Sequence, residues 1–534
     1  MLQKYYRQWA LRSLVLGILV PILTTLPAYG SEKIILIYGG LNFSIPVKSL
    51  ERFVQNGTVD HSLKFYFRFL NAQQKANLQE FLRTRYAVKT FALHQLGQTY
   101  AGEQLLTTLG KGIQIPGGRN GHYAIRGSMI QASATPEGLS VINVIRHFPT
   151  DIQLNITYLL ASTKHIFSLV QDTQHFMKSL PQTEVINSTK TISILPSLDL
   201  EKTDVFKISK KVFSLHDYKR NRQLKIAFYF PKTEQSKFPV IVISNGLGAH
   251  LDRFSKLAEH LASHGFAVII ADHPNSNDER QNAFYAGLYS EPFDATEFVD
   301  RPLDVTFILD QFEKLNSTQF DHKLNLQEVG ILGYSFGGAT AFALAGAKIN
   351  FQQLEKDCKS PNGFYNISIL YQCRALELPQ KSYDLKDQRI KAIFAFFPFS
   401  RSLYGQSEMN QIKIPVFWQA TDADVITPLL TEQVPPFTWL QSRDKYLAIA
   451  EKLPHTRIIL NATSKLINQQ ITEEQIIQTT HHYLSTLSLA FFKTYIAHNN
   501  LYYSHLQPPY ILSISQEPFR LHLTQKVQFS VNKK

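Results

Sequence analysis

The segment that most constrains this chain is Gly333-Tyr334-Ser335-Phe336-Gly337. An apolar run, VGILG (residues 329–333), leads straight into it, and a stretch of small residues, GATAFALAGA (residues 338–347), follows at once. A serine held on a sharp corner between a strand and a helix needs glycines two residues to either side, so that neighbouring backbone can pass without a Cβ clash. The setting predicts a strand, a strained turn carrying an exposed hydroxyl, and a helix, which is a nucleophile elbow. A chain built around such a turn is expected to be α/β, with the serine at the end of a strand in a mostly parallel sheet.

The surrounding texture agrees. From about Phe206 onward apolar runs alternate with helical periodicity: KIAFYF (225–230), PVIVIS (239–244), FAVIIA (266–271), AIFAFF (392–397), PVFWQA (415–420) and RIIL (457–460) read as strands. Helices are expected around Leu257 and Leu261, closing at Gly265, over 303–312, and over 476–495. The resulting domain, residues 206–497, is expected to hold an eight-stranded, mostly parallel sheet. Its insertion at 350–389 carries Phe364, Tyr365 and Tyr371 and reads as a lid or as a plain surface excursion. Residues 498–534 read as a C-terminal extension. Ahead of this domain, KIILIY (33–38) and Gly39-Gly40 introduce a stretch with apolar residues at three- and four-residue steps: Leu50, Phe53, Val54, Leu63, Tyr66, Phe67, Leu70, Leu78, Phe81, Leu82, Leu105, Leu106 and Leu109. Residues 31–200 are expected to form a smaller, mainly helical domain, with Pro196 in the connector.

The first thirty residues place Lys4, Arg7 and Arg12 before an apolar run from Leu14 to Leu23, with Ala28-Tyr29-Gly30 ahead of Ser31. That is a secretory leader, and a run of about ten apolar residues is too short to span a bilayer. The mature chain is expected outside the cytoplasm. There Cys358 and Cys373 are expected to pair, stabilising the fold by ~3 kcal/mol through loop closure; the alternative is two free thiols. The chain has 55 Lys plus Arg against 42 Asp plus Glu, a net +13, and removing three leader cations leaves +10. No dense basic run interleaved with aromatics is present, so nucleic acid is excluded as a partner. The balance suits mild attraction to anionic surfaces such as a membrane, or a solvated basic exterior. The cysteine spacing matches no metal motif, so no metal or organic cofactor is expected.

A nucleophilic serine needs donors for the oxyanion that forms on the substrate carbonyl. Asn245-Gly246-Leu247-Gly248 follows the strand PVIVIS, and the amides of Leu247 and Phe336 are the candidate pair. With NGLGAH (245–250), ADHPNS (271–276) and GYSFGG (333–338) in this order, the chain resembles the α/β-hydrolase superfamily, in particular the group of platelet-activating-factor acetylhydrolases and dienelactone hydrolases. The whole chain also resembles secreted proteins of photosynthetic bacteria that join a domain of unknown function to such a hydrolase. The resemblance implies a Ser-acid-His triad. The acid belongs in ATDADVITP (420–428), with Asp424 at the family's spacing and Asp422 in reserve. The histidine is implied shortly after RIIL, where this sequence has Asn461-Ala462-Thr463-Ser464-Lys465, with Ser464 in its place. His481 is then the candidate base. His482 is its neighbour, but residues about 100° apart on a helix cannot both serve. His250 and His273, at strand ends, and a Ser-Lys arrangement using Lys465 are further alternatives.

The expected activity is serine-dependent hydrolysis of carboxylic esters, of lipid or short acyl type, on a small-molecule substrate. The competing expectation is a degenerate hydrolase that binds an ester or lipid without turnover, because a serine without its base is a poor nucleophile. Oligomeric state is not readable from these residues.

Overall fold

A computed structural model describes residues 30–180, 198–202, 206–233, 237–360, 365–456 and 471–527. The expected leader, the connector at Pro196, Phe364, the RIIL segment, Ser464 and Lys465 lie outside these residues. The chain divides into two compact units, residues 1–98 with 102–163, and residues 99–101 with 164–534.

In the first unit, strands β1 (Lys33–Tyr38) and β2 (Leu41–Pro46) form a hairpin across Gly39-Gly40, two glycines with positive φ as a two-residue turn demands. Strands β3 (Ile113–Ile115), β4 (Arg119–Asn120) and β5 (Ile152–Asn155) complete a five-stranded sheet in the order β2-β1-β5-β3-β4. Helices supply the rest of its core: Val47, Leu50, Phe53, Val54, Leu63, Phe67, Leu82 and Leu106 are buried with Ile34 and Ile152. Phe81, Leu105 and Leu109, which share the same periodicity, are exposed.

Among its described residues the second unit has nine strands in one sheet, against the eight expected: β6 (Ile208–Asp217), β7 (Arg222–Pro231), β8 (Phe238–Ser244), β9 (Ala267–Ala271), β10 (Leu324–Tyr334), β11 (Ile390–Phe396), β12 (Val416–Thr421), β13 (Lys445–Ala450) and β14 (Leu521–Thr524). Their order is β14-β13-β12-β11-β10-β8-β9-β7-β6. The six strands from β13 to β9 run parallel, and β14, β7 and β6 add antiparallel edges. The strands β6, β13 and β14 come from segments that the sequence pattern does not mark as strands. β14 draws residues expected to form an extension into the sheet, with Ile511, Ile514, Phe519 and Leu521 in the core.

Both faces of the sheet are covered, which is why its central strands are apolar throughout. One face carries the helices Ser255–Ser263 and Glu473–Tyr495, and the other Glu297–Gln319 and Phe336–Leu344. The helix Ile156–Ser179 starts in the first unit, but Phe176 packs into the second unit's core, so the division falls inside this helix and not near residue 200. Cys358 and Cys373 are bonded. The insertion is stitched to its surroundings: buried Glu432 accepts from the backbone amides of Ser400 and Arg401 and from the side chains of Asn366 and Gln372.

Candidate active site

Ser335 stands between the end of β10 and the helix Phe336–Leu344, and its φ of 53° and ψ of −111° put a non-glycine residue in the left-handed region. Such strain persists only where the surroundings over-determine it. Here the Ser335 amide donates to the Phe396 carbonyl at 2.9 Å, tying the turn to β11. A Cβ on Gly333 would lie 2.1 Å from the Gly337 carbonyl oxygen, and one on Gly337 only 1.9 Å from that of Ser244. The two glycines let the turn close on itself and let the following helix start against β8. Ser335 is partly exposed.

The candidate oxyanion turn at 245–248 leaves the end of β8 beside this corner. Gly246 lies under the Tyr334 ring, where a Cβ would stand 2.7 Å from the nearest ring atom. The Gly248 amide donates to the Ser276 carbonyl at 2.8 Å, and the Asn245 carbonyl accepts from the buried Arg301 guanidinium at 2.6 Å. Neither the Leu247 nor the Phe336 amide donates to another group among the described residues. The Arg301 guanidinium also lies 4.6 Å over the Phe336 ring. A buried cation therefore holds the first residue of this turn and covers the Phe336 ring.

Asp424 lies beyond β12 and is fully buried at its side chain. One carboxylate oxygen accepts from the amides of Ile426 and Thr427 at 2.8 Å each; the other takes the Thr427 hydroxyl and a histidine ring nitrogen. Burial alone would raise its pKa, but the facing imidazole and these hydrogen bonds outweigh it and hold the carboxyl below its ordinary value.

That histidine is His455. Its Nδ1 stands 2.6 Å from Asp424 Oδ2 and its Nε2 3.1 Å from Ser335 Oγ, so one imidazole joins the carboxylate to the serine. It follows β13 after a turn in which Lys452 takes φ 61°. Asp422 accepts from the Lys452 amide at 2.7 Å, so the reserve acid holds the turn that presents His455 and does not reach the ring. Tyr334, next to the nucleophile, donates its hydroxyl to the His455 carbonyl at 2.7 Å. The rings of Tyr334 and Phe397 pack near the imidazole, at 5.5 and 5.7 Å between centroids.

The structure does not bring His481 to the serine. It sits on the helix Glu473–Tyr495, with its Nδ1 3.3 Å from Ser485 Oγ one turn on. His482 meets the Ile514 carbonyl at 3.0 Å. His250 is exposed and caps a short helical turn by accepting from the Asp252 amide. His273 is wholly buried between Ser244 Oγ and Asp304 Oδ2, each at 3.0 Å, which repeats a serine–histidine–acid chain without access to solvent. Burial first, then the nearby Arg301, holds its pKa down to about 4. Sequence reasoning missed His455 because it took RIIL, not KYLAIA, for the strand that the histidine should follow. The available signal was a histidine five residues beyond the apolar run YLAIA.

Among the described residues no group of three or more His, Cys, Asp or Glu side chains could hold a metal ion. The arrangement is a polar chain able to move a proton from the Ser335 hydroxyl to the His455 imidazole. Residues 239–353 match the alpha/beta hydrolase fold family, and residues 30–155 match a family described as alpha/beta hydrolase of unknown function. No curated protein matches the sequence. The second match, apart from residues 99–101, falls within the first compact unit, whereas the nine-stranded sheet belongs to the second.

Proposed function

We propose, on the premise that the chain belongs to the α/β-hydrolase superfamily, that it is a serine-dependent hydrolase of carboxylic esters, of lipid or short acyl type. The observation that carries this reading is the continuous contact from Asp424 through His455 to Ser335. In the proposed reaction His455 Nε2 takes the Ser335 proton as Oγ bonds to the ester carbonyl carbon. The charge that develops on the carbonyl oxygen is held by the amides of Leu247 and Phe336, a contribution of about 10²- to 10³-fold per donor. The alcohol then leaves with the proton from Nε2. Water, deprotonated by the same nitrogen, attacks the acyl-serine and releases the acid. Asp424 fixes the tautomer and stabilises the imidazolium.

The contact of His455 with both Ser335 and Asp424 supports turnover over the degenerate reading, which assumes a serine without a base. The Cys358–Cys373 bond supports placing the working protein in an oxidising compartment. The test is turnover of p-nitrophenyl acetate and longer acyl esters by the purified protein. Turnover that falls to background in Ser335→Ala is expected; a folded wild type without turnover of any of them, or a variant as fast as the wild type, overturns the proposal.

A further inference from the structure

The hairpin β1–β2 in the first unit has an apolar face that outruns the core beneath it. Cross-strand register pairs Ile34 with Ile45, Leu36 with Phe43 and Tyr38 with Leu41, all on one side. At the base Ile34 is buried, with Leu36 and Ile45 packed beside it. Toward the tip the same face opens, with Phe43 38 %, Tyr38 53 % and Leu41 59 % exposed. The helix His61–Phe67 and the residues just after it extend this surface: Phe65 stacks on Phe43 at 6.4 Å and meets Phe69 edge-on at 6.3 Å. Phe69 is 69 % exposed. Large side chains of roughly 150–250 Å² each, about half uncovered, amount to a patch on the order of 500 Å². A contiguous apolar patch of that size lies in the upper range of what single chains expose, and such patches are often functional.

Its charges say what it meets. The outer face that presents Phe65 and Phe69 also presents His61, Lys64 and Arg68, at helical spacing. Residues 33–50 and 61–78 contain no Asp or Glu at all. The neighbouring carboxylate, Asp60, accepts from the amides of Ser62 and Leu63 and is paired with Arg52 at 2.6 Å. The Arg68 guanidinium lies over both rings, 4.4 Å from the Phe65 centroid and 4.6 Å from that of Phe69. Aromatic rings that can enter an interface, with cations set among them to meet phosphate, suit the headgroup layer of a bilayer. A second copy suits it poorly, because a two-fold interface would oppose this uncompensated basic face to itself.

We propose that the tip of the β1–β2 hairpin and the exposed face around Phe65 and Phe69 dock the protein on an anionic lipid bilayer. The inference stands apart from the chemistry at Ser335 and holds or fails without it.

Flotation with vesicles tests it, using phosphatidylcholine alone and phosphatidylcholine mixed with phosphatidylglycerol. The protein should float with the mixed vesicles, bind the neutral ones far more weakly, and be released by added salt. Leu41→Ser combined with Phe65→Ser and Phe69→Ser should abolish flotation. Lys64→Glu with Arg68→Glu should weaken binding to the mixed vesicles by about tenfold or more, since each cation near an anionic surface contributes about fivefold. All five residues are exposed, and circular dichroism confirms that the variants stay folded. No flotation with either vesicle, or triple-variant binding equal to wild type, overturns the proposal. So does a wild-type dimer that the triple variant makes monomeric in the absence of lipid binding, which would assign the face to a second copy.

Discussion

Replacing Gly337 by alanine drives a methyl carbon into the seam between the helix Phe336–Leu344 and β8. The added Cβ would stand 1.9 Å from the Ser244 carbonyl oxygen, 2.7 Å from its carbon and 3.0 Å from the Asn245 carbonyl oxygen, all of them backbone atoms. Carbon and oxygen approach to about 3.3 Å at closest, so the seam must open by about 1.4 Å. Ser244 and Asn245 lead directly into the candidate oxyanion turn, and Gly337 is two residues from the nucleophile. The displacement therefore separates the Leu247 and Phe336 amides from each other and from Ser335. A misplacement near 1 Å costs about 10²-fold in rate, and a forced methyl in a packed interior costs about 1–3 kcal/mol of stability. Gly337→Ala should thus fold, melt at a lower temperature, and lose about 10²-fold in kcat/KM on a p-nitrophenyl ester. The control is Gly127→Ala, in the helix His122–Ala134, where nothing lies within 4 Å of the added carbon. It should keep full activity and gain slightly in stability. Wild-type kcat/KM in Gly337→Ala would refute the contact between helix and oxyanion turn as the device that aligns the site.

His455→Ala should lower p-nitrophenyl ester turnover by about 10⁴-fold or more, and His481→Ala should leave it unchanged; the opposite ranking would return the base to the last helix. His273 is held to about 4 in the folded chain, mainly by burial, whereas an unfolded imidazole titrates near 6.5. Between those values only the unfolded chain takes the extra proton, so this contribution is complete above about pH 6.5 and is lost as the pH falls toward 4, by on the order of 3 kcal/mol. Thermal melts over that window should show a slope that His273→Gln flattens, and an identical slope in the variant would contradict the burial argument. Cys358→Ser with Cys373→Ser, which opens a loop of 15 residues, should lower unfolding free energy in urea by about 3 kcal/mol, and an unshifted midpoint would contradict it.

The parts of the site that were readable in the sequence are those whose demands are local. The corner at Ser335 needs two glycines within five residues, and those glycines are visible without any tertiary contact. Asp424 lies just past an apolar strand and is fixed by its own loop, through Ile426 and Thr427. His455 depends instead on β13, whose residues KYLAIA include a single β-branched side chain and two alanines. That composition favours helix locally, and RIIL, with two isoleucines, looks more strand-like. The sheet overrides the preference: Tyr446 through Ala450 are fully buried between β12 and β14. The strand β14 was illegible for the same reason, since four residues near the chain's end gain their strand character only from pairing with β13. In the first unit Gly39-Gly40 between LNFSIP and KIILIY is a hairpin signal in plain sequence, overshadowed by the helical periodicity that follows.

Covalent labelling with a fluorophosphonate, read by intact mass and located by peptide mapping, tests the central claim most directly. The account predicts one adduct per chain, on Ser335, formed as fast in His481→Ala as in the wild type and almost not at all in His455→Ala. A folded wild-type protein that takes no adduct, or takes it at another residue, would contradict it.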